Sequence, residues 1–309
     1  MQAPRLLIDT DPGVDDALAI LMAHHTARVS GLTIAAGNVG LRHTVANALK
    51  LVEVLNADTP VYAGCATPLV LPAEDAAFVH GQDGFGDTDY TPSQRRPADE
   101  HAVMAILRLS REFAGQLTLV ALGPLTNLAL ALRLDPQLPS RFARLVIMGG
   151  AVNGRGNTRL VPAEFNISFD PEAAHIVFSS WPKFDLVDWE ATVRHGLDYA
   201  DFARWLEVDS PRARFYSSIS AGTRSWAQAQ GRERLFSADA LAMAVALEPE
   251  IISEARECHV GIEMTGGLTR GATVVDWEGR LQRPANARII LGVDQARFEA
   301  RIKAALAAM

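Results

Sequence analysis

The apolar positions of this chain alternate between two periods. Short buried runs of strand type are followed by stretches with apolar residues three and four apart, the spacing of a helix packed on one face. Leu6-Leu7-Ile8 leads into a helical pattern through Ala17, Leu18, Ile20 and Leu21. A second strand spans 29–36 and a helix about 44–55, with Val45, Leu49, Val52 and Leu55 on one face. A short strand at 60–63 precedes a helix over 98–113, and the strand 117–122 precedes a helix over 125–134. Strand 144–148, helix 171–179 and strand 184–187 continue the series. Helices then dominate over 199–206, 211–230 and 237–247, before two strand signals around Gly267–Gly271, a strand at 287–291 and a helix from Gln295. Alternation of this kind predicts an α/β fold, a mainly parallel, Rossmann-like sheet flanked by helices, with helical insertions in the C-terminal half. No Pro- or Ser-rich linker and no internal repeat divides the chain, so residues 1–309 read as a single domain.

Two stretches depart from the alternation. Residues 113–132 are uncharged and long enough to span a bilayer, but Gln116, Gly123-Pro124, Thr126 and Asn127 favour a buried strand and helix. Residues 64–97 lack periodicity and hold His80-Gly81-Gln82-Asp83-Gly84-Phe85-Gly86-Asp87. A loop of that length in a compact domain marks a lid or binding loop. His80 is the one histidine placed like a site residue. His24, His25, His43, His101 and His175 fall in helical patterns, and His195 and His259 have no evident partner.

Composition narrows the field modestly. Hydrophobic residues make up 49% and charged residues 21%, a globular balance. The net charge of −7 argues against a nucleic-acid or anionic membrane partner. Two distant cysteines, Cys65 and Cys258, fit a reducing compartment, and no apolar signal core precedes the first acids. The expectation is a cytoplasmic protein.

The chemistry concentrates in LLIDTDPGVDDALAI, residues 6–20. Asp9, Asp11, Asp15 and Asp16 crowd the end of a buried strand, and no Lys or Arg lies between Arg5 and Arg28. Alternation places Asp9 and Asp11 on the same side. Asp11 reads as the helix N-cap and Pro12 as the first helical residue. A helix N-terminus offers about half a charge, too little to balance four carboxylates. A bound cation follows, and an all-oxygen donor set suits Ca²⁺ or Mg²⁺. Farther on, Glu164 and Asn166 lie two apart on an extended loop, where a carboxylate beside an amide can hold vicinal hydroxyls. Asp239 opens an apolar helix and reads as a helix-start acid. Ligands of open α/β sheets bind beyond the strands' carboxyl ends, so Asp11, Asn38, the 123–127 turn and the 149–166 loop should share one mouth.

DTDPGVDDALAI, LGPLTNLALAL (122–132), VIMGGA (146–151), PAEFNISFDPEAAHIVF (162–178) and DALAMAVAL (239–247) together resemble the inosine-uridine preferring nucleoside hydrolases. The resemblance runs in family order from Leu6 to Leu247. It implies Ca²⁺-dependent hydrolysis of ribonucleosides to ribose and free base, with relatives that form homodimers or homotetramers. It implies Asp11, Asp16, Asp239 and the Thr126 carbonyl as Ca²⁺ ligands, with Asp11 the base that activates water. Asp15, Glu164 and Asn166 would hold the ribose hydroxyls, and Asn38 would sit beside the water. His80 would line the pocket from the lid, Met148 would form the ribose floor, and Asn157 would meet the ribose 5′ end. Where many members place a catalytic histidine, this chain has Ala238. The alternatives that departure opens are leaving-base activation by an aromatic such as Trp226, Tyr216 or Phe85, or a nucleoside- or ribose-binding protein with little catalysis. A phosphatase with an Asp-x-Asp nucleophile is disfavoured by the Pro12-Gly13 continuation and by AEFN.

Overall fold

The computed structural model describes residues 3–309. Its first half comprises β1 (Arg5–Thr10), α1 (Val14–Thr26), β2 (Arg28–Ile34), α2 (Leu41–Val54), β3 (Val61–Ala63), α3 (Ala77–His80), α4 (Ala102–Glu112), β4 (Leu117–Ala121), α5 (Thr126–Leu134) and β5 (Phe142–Met148). There follow α6 (Phe165–Phe169), α7 (Pro171–Ser180), β6 (Phe184–Val187), α8 (Trp189–Arg194), α9 (Tyr199–Leu206), α10 (Pro211–Ala229), α11 (Ala238–Leu247), β7 (Ile252–Ile262), β8 (Thr273–Asp276), β9 (Ala287–Val293) and α12 (Gln295–Ala307). The helices that periodicity did not announce are α3, α6 and α8. Each has six residues or fewer, too short to display a 3.6-residue repeat.

All nine strands join one sheet in the order β3-β2-β1-β4-β5-β6-β9-β7-β8. From β3 to β9 neighbours run parallel, while β7 is antiparallel to both β9 and β8. The expected parallel sheet is therefore present, and the strand signals flanking Gly267–Gly271 are β7 and β8. Strand order reverses between β1 and β4, which makes the carboxyl end of β1 a topological switch point.

Side-chain alternation sorts the core onto the two sheet faces. Leu6, Ile8, Val120, Leu122, Val146 and Met148 pack with α1, α10, α11 and α12. Leu7, Leu119, Ala121, Leu145 and Ile147 pack with α4, α5 and α7. The uncharged stretch 113–132 is β4 plus α5, and no described helix is long and apolar enough to cross a membrane.

A half-buried ion triad ties β5, β6 and β9 to α11. Asp185 on β6 accepts from Arg144 Nε at 2.5 Å and from Arg288 Nε at 2.5 Å. Arg144 also donates to the Val245 carbonyl at 3.0 Å, near the C-terminus of α11. Asp185 is only 5% exposed, whereas the Arg144 and Arg288 side chains are partly open to solvent. Asp185→Ala is expected to cost about 2 kcal/mol in a urea unfolding curve, the scale of lost hydrogen bonds to a charged group. An unchanged midpoint would contradict this role.

Candidate functional site

The strand β1 ends at Thr10, and this corrects the first reading of the aspartates. Asp9 points to the α5 side of the sheet, where its Oδ1 accepts from Thr33 Oγ1 (2.6 Å) and Asn127 Nδ2 (3.0 Å). Asp11 does not share that side. Its Oδ2 accepts from the Asn38 backbone N–H at 2.7 Å, in the loop that follows the neighbouring strand β2. The alternation rule fails here because the chain leaves the strand before Asp11.

Helix α1 begins later than expected as well. Gly13 is its N-cap and Val14 its first residue, so neither Asp11 nor Pro12 plays the helix-start part. The Asp16 carboxylate reaches back to the Gly13 N–H at 3.0 Å and also takes the Thr10 hydroxyl. The Val14 N–H is met instead by His80 Nδ1 at 3.2 Å. That bond leaves the proton of the neutral ring on Nε2, and burial pushes the His80 pKa down to about 4. Asn38 completes the turn by donating Nδ2 to the Asp11 carbonyl (3.1 Å) and to Asp16 Oδ2 (2.9 Å).

Helix α11 brings the fourth acid. Its sequence ADALAMAVAL is alanine-rich and buried along nearly its whole length, and it lies against α1, whose buried residues include Ala17, Ala19 and Ala23. Small side chains let the two helices approach. Carboxylate oxygens of Asp15, Asp16 and Asp239 consequently come within 4.8 Å of one another. Asp11 borders this trio, and Asp16 and Asp15 both raise its pKa. Asp9, expected in the crowded group, stands apart from it.

Burial is the first cause of every shift in this cluster, and mutual repulsion adds to it at Asp11, Asp16 and Asp239. Asp15 and Asp16 are pushed up to about 6, and Asp11 and Asp239 well above the usual carboxylate range. Among the described residues no arginine or lysine side chain offsets them, and the buried Asp11 Oδ1 has no hydrogen-bond partner. Oxygen-only donors, a bare buried carboxylate oxygen and uncompensated charge together fit a hard divalent cation.

Two glycines admit the Asp11 carboxylate. A Cβ on Gly37 would lie 2.0 Å from its Oδ2, and one on Gly123 would lie 2.3 Å from its Oδ1. Gly123→Ala is therefore expected to displace Asp11 and weaken divalent-cation binding about 10- to 100-fold, read by calorimetry, while the chain still melts cooperatively. A variant with ordinary cation affinity would show that the carboxylate tolerates displacement.

The remaining candidates converge as the switch-point argument requires. Asp15, Asn38, His80, Met148, Asn157, Glu164, Asn166 and Asp239 line one cavity, partly open to solvent. Thr126 is buried at the start of α5 and gives its hydroxyl to Asp170 Oδ2 at 2.7 Å. Glu164 and Asn166 are not on an extended loop: Glu164 is the N-cap of α6. Its Oε1 accepts from the Asn166 N–H (3.0 Å) and its Oε2 from Gly150 (3.0 Å) and Ile167 (3.3 Å). Burial still raises its pKa to about 7 against those donors. Asn166 Nδ2 donates to the Leu122 carbonyl at 2.6 Å, which ties α6 to the end of β4. Asn157 Oδ1 accepts from the Phe165 N–H at 2.8 Å.

The segment 64–97 crosses the mouth and is held from beneath. Asn47 of α2 donates Nδ2 to the carbonyls of Pro12 and Asp83, each at 2.9 Å. Among the aromatic candidates Trp226 and Tyr216 line the cavity, whereas Phe85 is fully buried against Tyr90 and Phe215. Sequence reasoning missed Thr10, Asp188, Trp189, Arg232 and Phe236. Asp188 ends β6, caps α8 and accepts from the Val152 N–H at 2.9 Å, adding negative charge beside Glu164. Its signal was the same strand-end aspartate as Asp11, with Glu190 following in the first turn of the helix that it caps. His195 does have partners, Gln295 and the Val293 N–H.

The sequence profile of the inosine-uridine preferring nucleoside hydrolases matches residues 6–300. The chain belongs to this family. It is 40% identical over 297 residues to the non-specific ribonucleoside hydrolase RihC of Klebsiella pneumoniae subsp. pneumoniae, with 95% of each chain covered. Its fold is similar to that of an inosine-guanosine nucleoside hydrolase (TM-score 0.93, 33% identity, all of both chains covered). It is also similar to a purine-preferring ribonucleoside hydrolase from Gardnerella vaginalis (TM-score 0.89, 30% identity, 98% of each chain covered). The expected architecture is that of these nucleoside hydrolases.

Proposed function

We propose that the protein hydrolyses the N-glycosidic bond of ribonucleosides to ribose and free base, in cytoplasmic nucleoside salvage, with Ca²⁺ as cofactor. The observation that carries this reading is a cavity floored by buried carboxylates that lack any cationic partner and walled by Glu164 and Asn166. Asp11, Asp16, Asp239 and the Thr126 carbonyl would hold the cation. Bound there, it supplies charge balance and Lewis acidity at the cavity floor.

The chain's own groups account for the other demands of the reaction. Glycoside cleavage passes through an oxocarbenium-like state, and the carboxylates of Asp15 and Glu164 stabilise positive charge developing on the sugar. Asp11, oriented by the Asn38 N–H and hemmed by Gly37 and Gly123, takes the proton of the attacking water. Asn166 and Asp15 orient the ribose hydroxyls, Met148 closes the floor, and Asn157 and His80 stand at the 5′ side and the lid.

A second reading is favoured by one observation. Ala238 lines the cavity beside Asp239 and offers no titratable group to the leaving base. A nucleoside- or ribose-binding protein would meet that description. Calorimetry beside a turnover assay separates the two: tight ribose binding with no release of base from a broad nucleoside panel would favour the binder. Multiple turnover of any member of the panel favours the hydrolase.

A further inference from the structure

Behind the cavity floor, one carboxylate gathers hydrogen bonds from three separate parts of the chain. Asp170 closes α6 and caps α7, and it is fully buried. Its Oδ1 accepts from the Ala173 N–H at 3.0 Å, the ordinary duty of a helix N-cap. Its Oδ2 makes two bonds that the cap does not need. It accepts from the Thr126 hydroxyl at 2.7 Å and from the Leu69 N–H at 3.0 Å. Thr126 opens α5 just beyond β4, and Leu69 lies near the start of the segment 64–97.

The same turn of α5 holds that segment a second time. Asn127 Oδ1 accepts from the Cys65 N–H at 2.9 Å, while its Nδ2 donates to Asp9 Oδ1 at 3.0 Å. Gly64 lets the chain come this close: a Cβ there would lie 2.3 Å from Asn127 Oδ1 and 2.6 Å from the Ile34 carbonyl oxygen. The Cys65 carbonyl in turn accepts from the Ala36 N–H at 2.9 Å. Residues 64–69 thus form a root fixed to α5, by Thr126 through Asp170 and by Asn127 directly. Beyond the root, Val70 and Leu71 are exposed. The segment is tied down again where the Ala76 N–H donates to the Asn38 carbonyl at 3.0 Å, shortly before His80.

We propose, resting on the cation reading above, that Asp170 is a positioning residue that couples the Thr126 turn to the root of the segment 64–97. A carboxylate suits this part, since its two oxygens accept several donors at once. With the Thr126 hydroxyl tied to Asp170, the first residue of α5 is held at one angle, and its carbonyl with it. Leu69 is bound to the same Asp170 oxygen, so any shift of the turn is felt at the root. Coupling of this kind is reciprocal. A loosened root lowers cation affinity, and a bound cation steadies the root. Asp170 does not line the cavity, so it acts on the reaction only through Thr126 and the segment that carries His80.

Asp170→Ser separates this part from the cap, because serine still caps α7 but is too short to reach Thr126 and Leu69. Calorimetry with Ca²⁺ alone should show about 10- to 100-fold weaker binding, the usual loss when the partner of a metal ligand is removed. Hydrogen exchange at residues 65–69 should slow when Ca²⁺ is added to the wild type and ignore Ca²⁺ in the variant. Thr126→Val breaks the same bond from the other side and keeps the main-chain carbonyl. The double variant should therefore bind Ca²⁺ little worse than either single one. If the serine variant does not fold, Asp170→Asn replaces it: the amide oxygen keeps the cap, and the amide N–H₂ opposes the Leu69 N–H. Its exchange at Leu69 should rise and its Ca²⁺ affinity fall. Wild-type affinity in the variant, losses that add in the double variant, or wild-type exchange at 65–69 that ignores Ca²⁺ would overturn the coupling and leave the hydrolase reading intact. A wild type that binds no divalent cation would overturn the cation reading, and this proposal with it.

Discussion

Asp11→Asn is expected to bind ribose and yet lose turnover by about 10²- to 10⁴-fold, the usual contribution of a positioned general base. The exchange is isosteric, so the amide oxygen can keep the bond from the Asn38 N–H that positions Asp11 Oδ2. It removes the basic oxygen and one negative charge from the group formed with Asp15, Asp16 and Asp239. Relief of that repulsion should hold or raise the stability of the metal-free protein, which separates loss of chemistry from loss of fold. Steady-state kcat on inosine and a thermal melt check both halves. Activity near that of the wild type would remove Asp11 as the base.

Chelation should act on stability as well as on turnover, with a sign set by the carboxylates. Burial pushes Asp15 and Asp16 up to about 6 when folded, against 3.8 for an unperturbed aspartate, and Asp11 and Asp239 are likewise pushed well above the unperturbed value. Between those values the folded, cation-free chain binds more protons than the unfolded one. Its stability therefore falls as pH rises through that window and stays reduced above it. A divalent cation offsets the penalty where the carboxylates are ionised. Chelator should consequently lower Tm far more at pH 8 than at pH 5 and abolish turnover, with Ca²⁺ restoring both. A site filled to a thousandfold excess over Kd contributes about 4 kcal/mol. Equal melting with and without chelator at both pH values would contradict a cation at this site.

Much of this was legible because the periods of strand and helix are clean over the first half of the chain. The mainly parallel sheet follows from that alternation, and the convergence of Asn38, Glu164 and Asn166 at one mouth follows from strand ends. What failed to show was local. The turn after Thr10 uses Gly13 as the helix cap and borrows His80, sixty-six residues on, to satisfy Val14, a long-range contact that no spacing rule contains. Glu164 and Asn166 read as an extended loop because α6 is a five-residue helix with no visible repeat. The rings of Trp189, Trp226 and Phe236 around Arg232 come from α8, α10 and the connection before α11, three places that share no motif. The separation of Asp9 from Asp11, Asp15, Asp16 and Asp239 has a simple cause: Thr10 takes the face toward α1, so Asp9 must take the other.

The most direct test of the whole account is the product balance from inosine. Purified protein in phosphate-free buffer with Ca²⁺ should release free ribose and hypoxanthine in equal amounts over many turnovers, and the release should stop on chelation. Inosine that stays intact under these conditions, together with every other ribonucleoside tried, would contradict it.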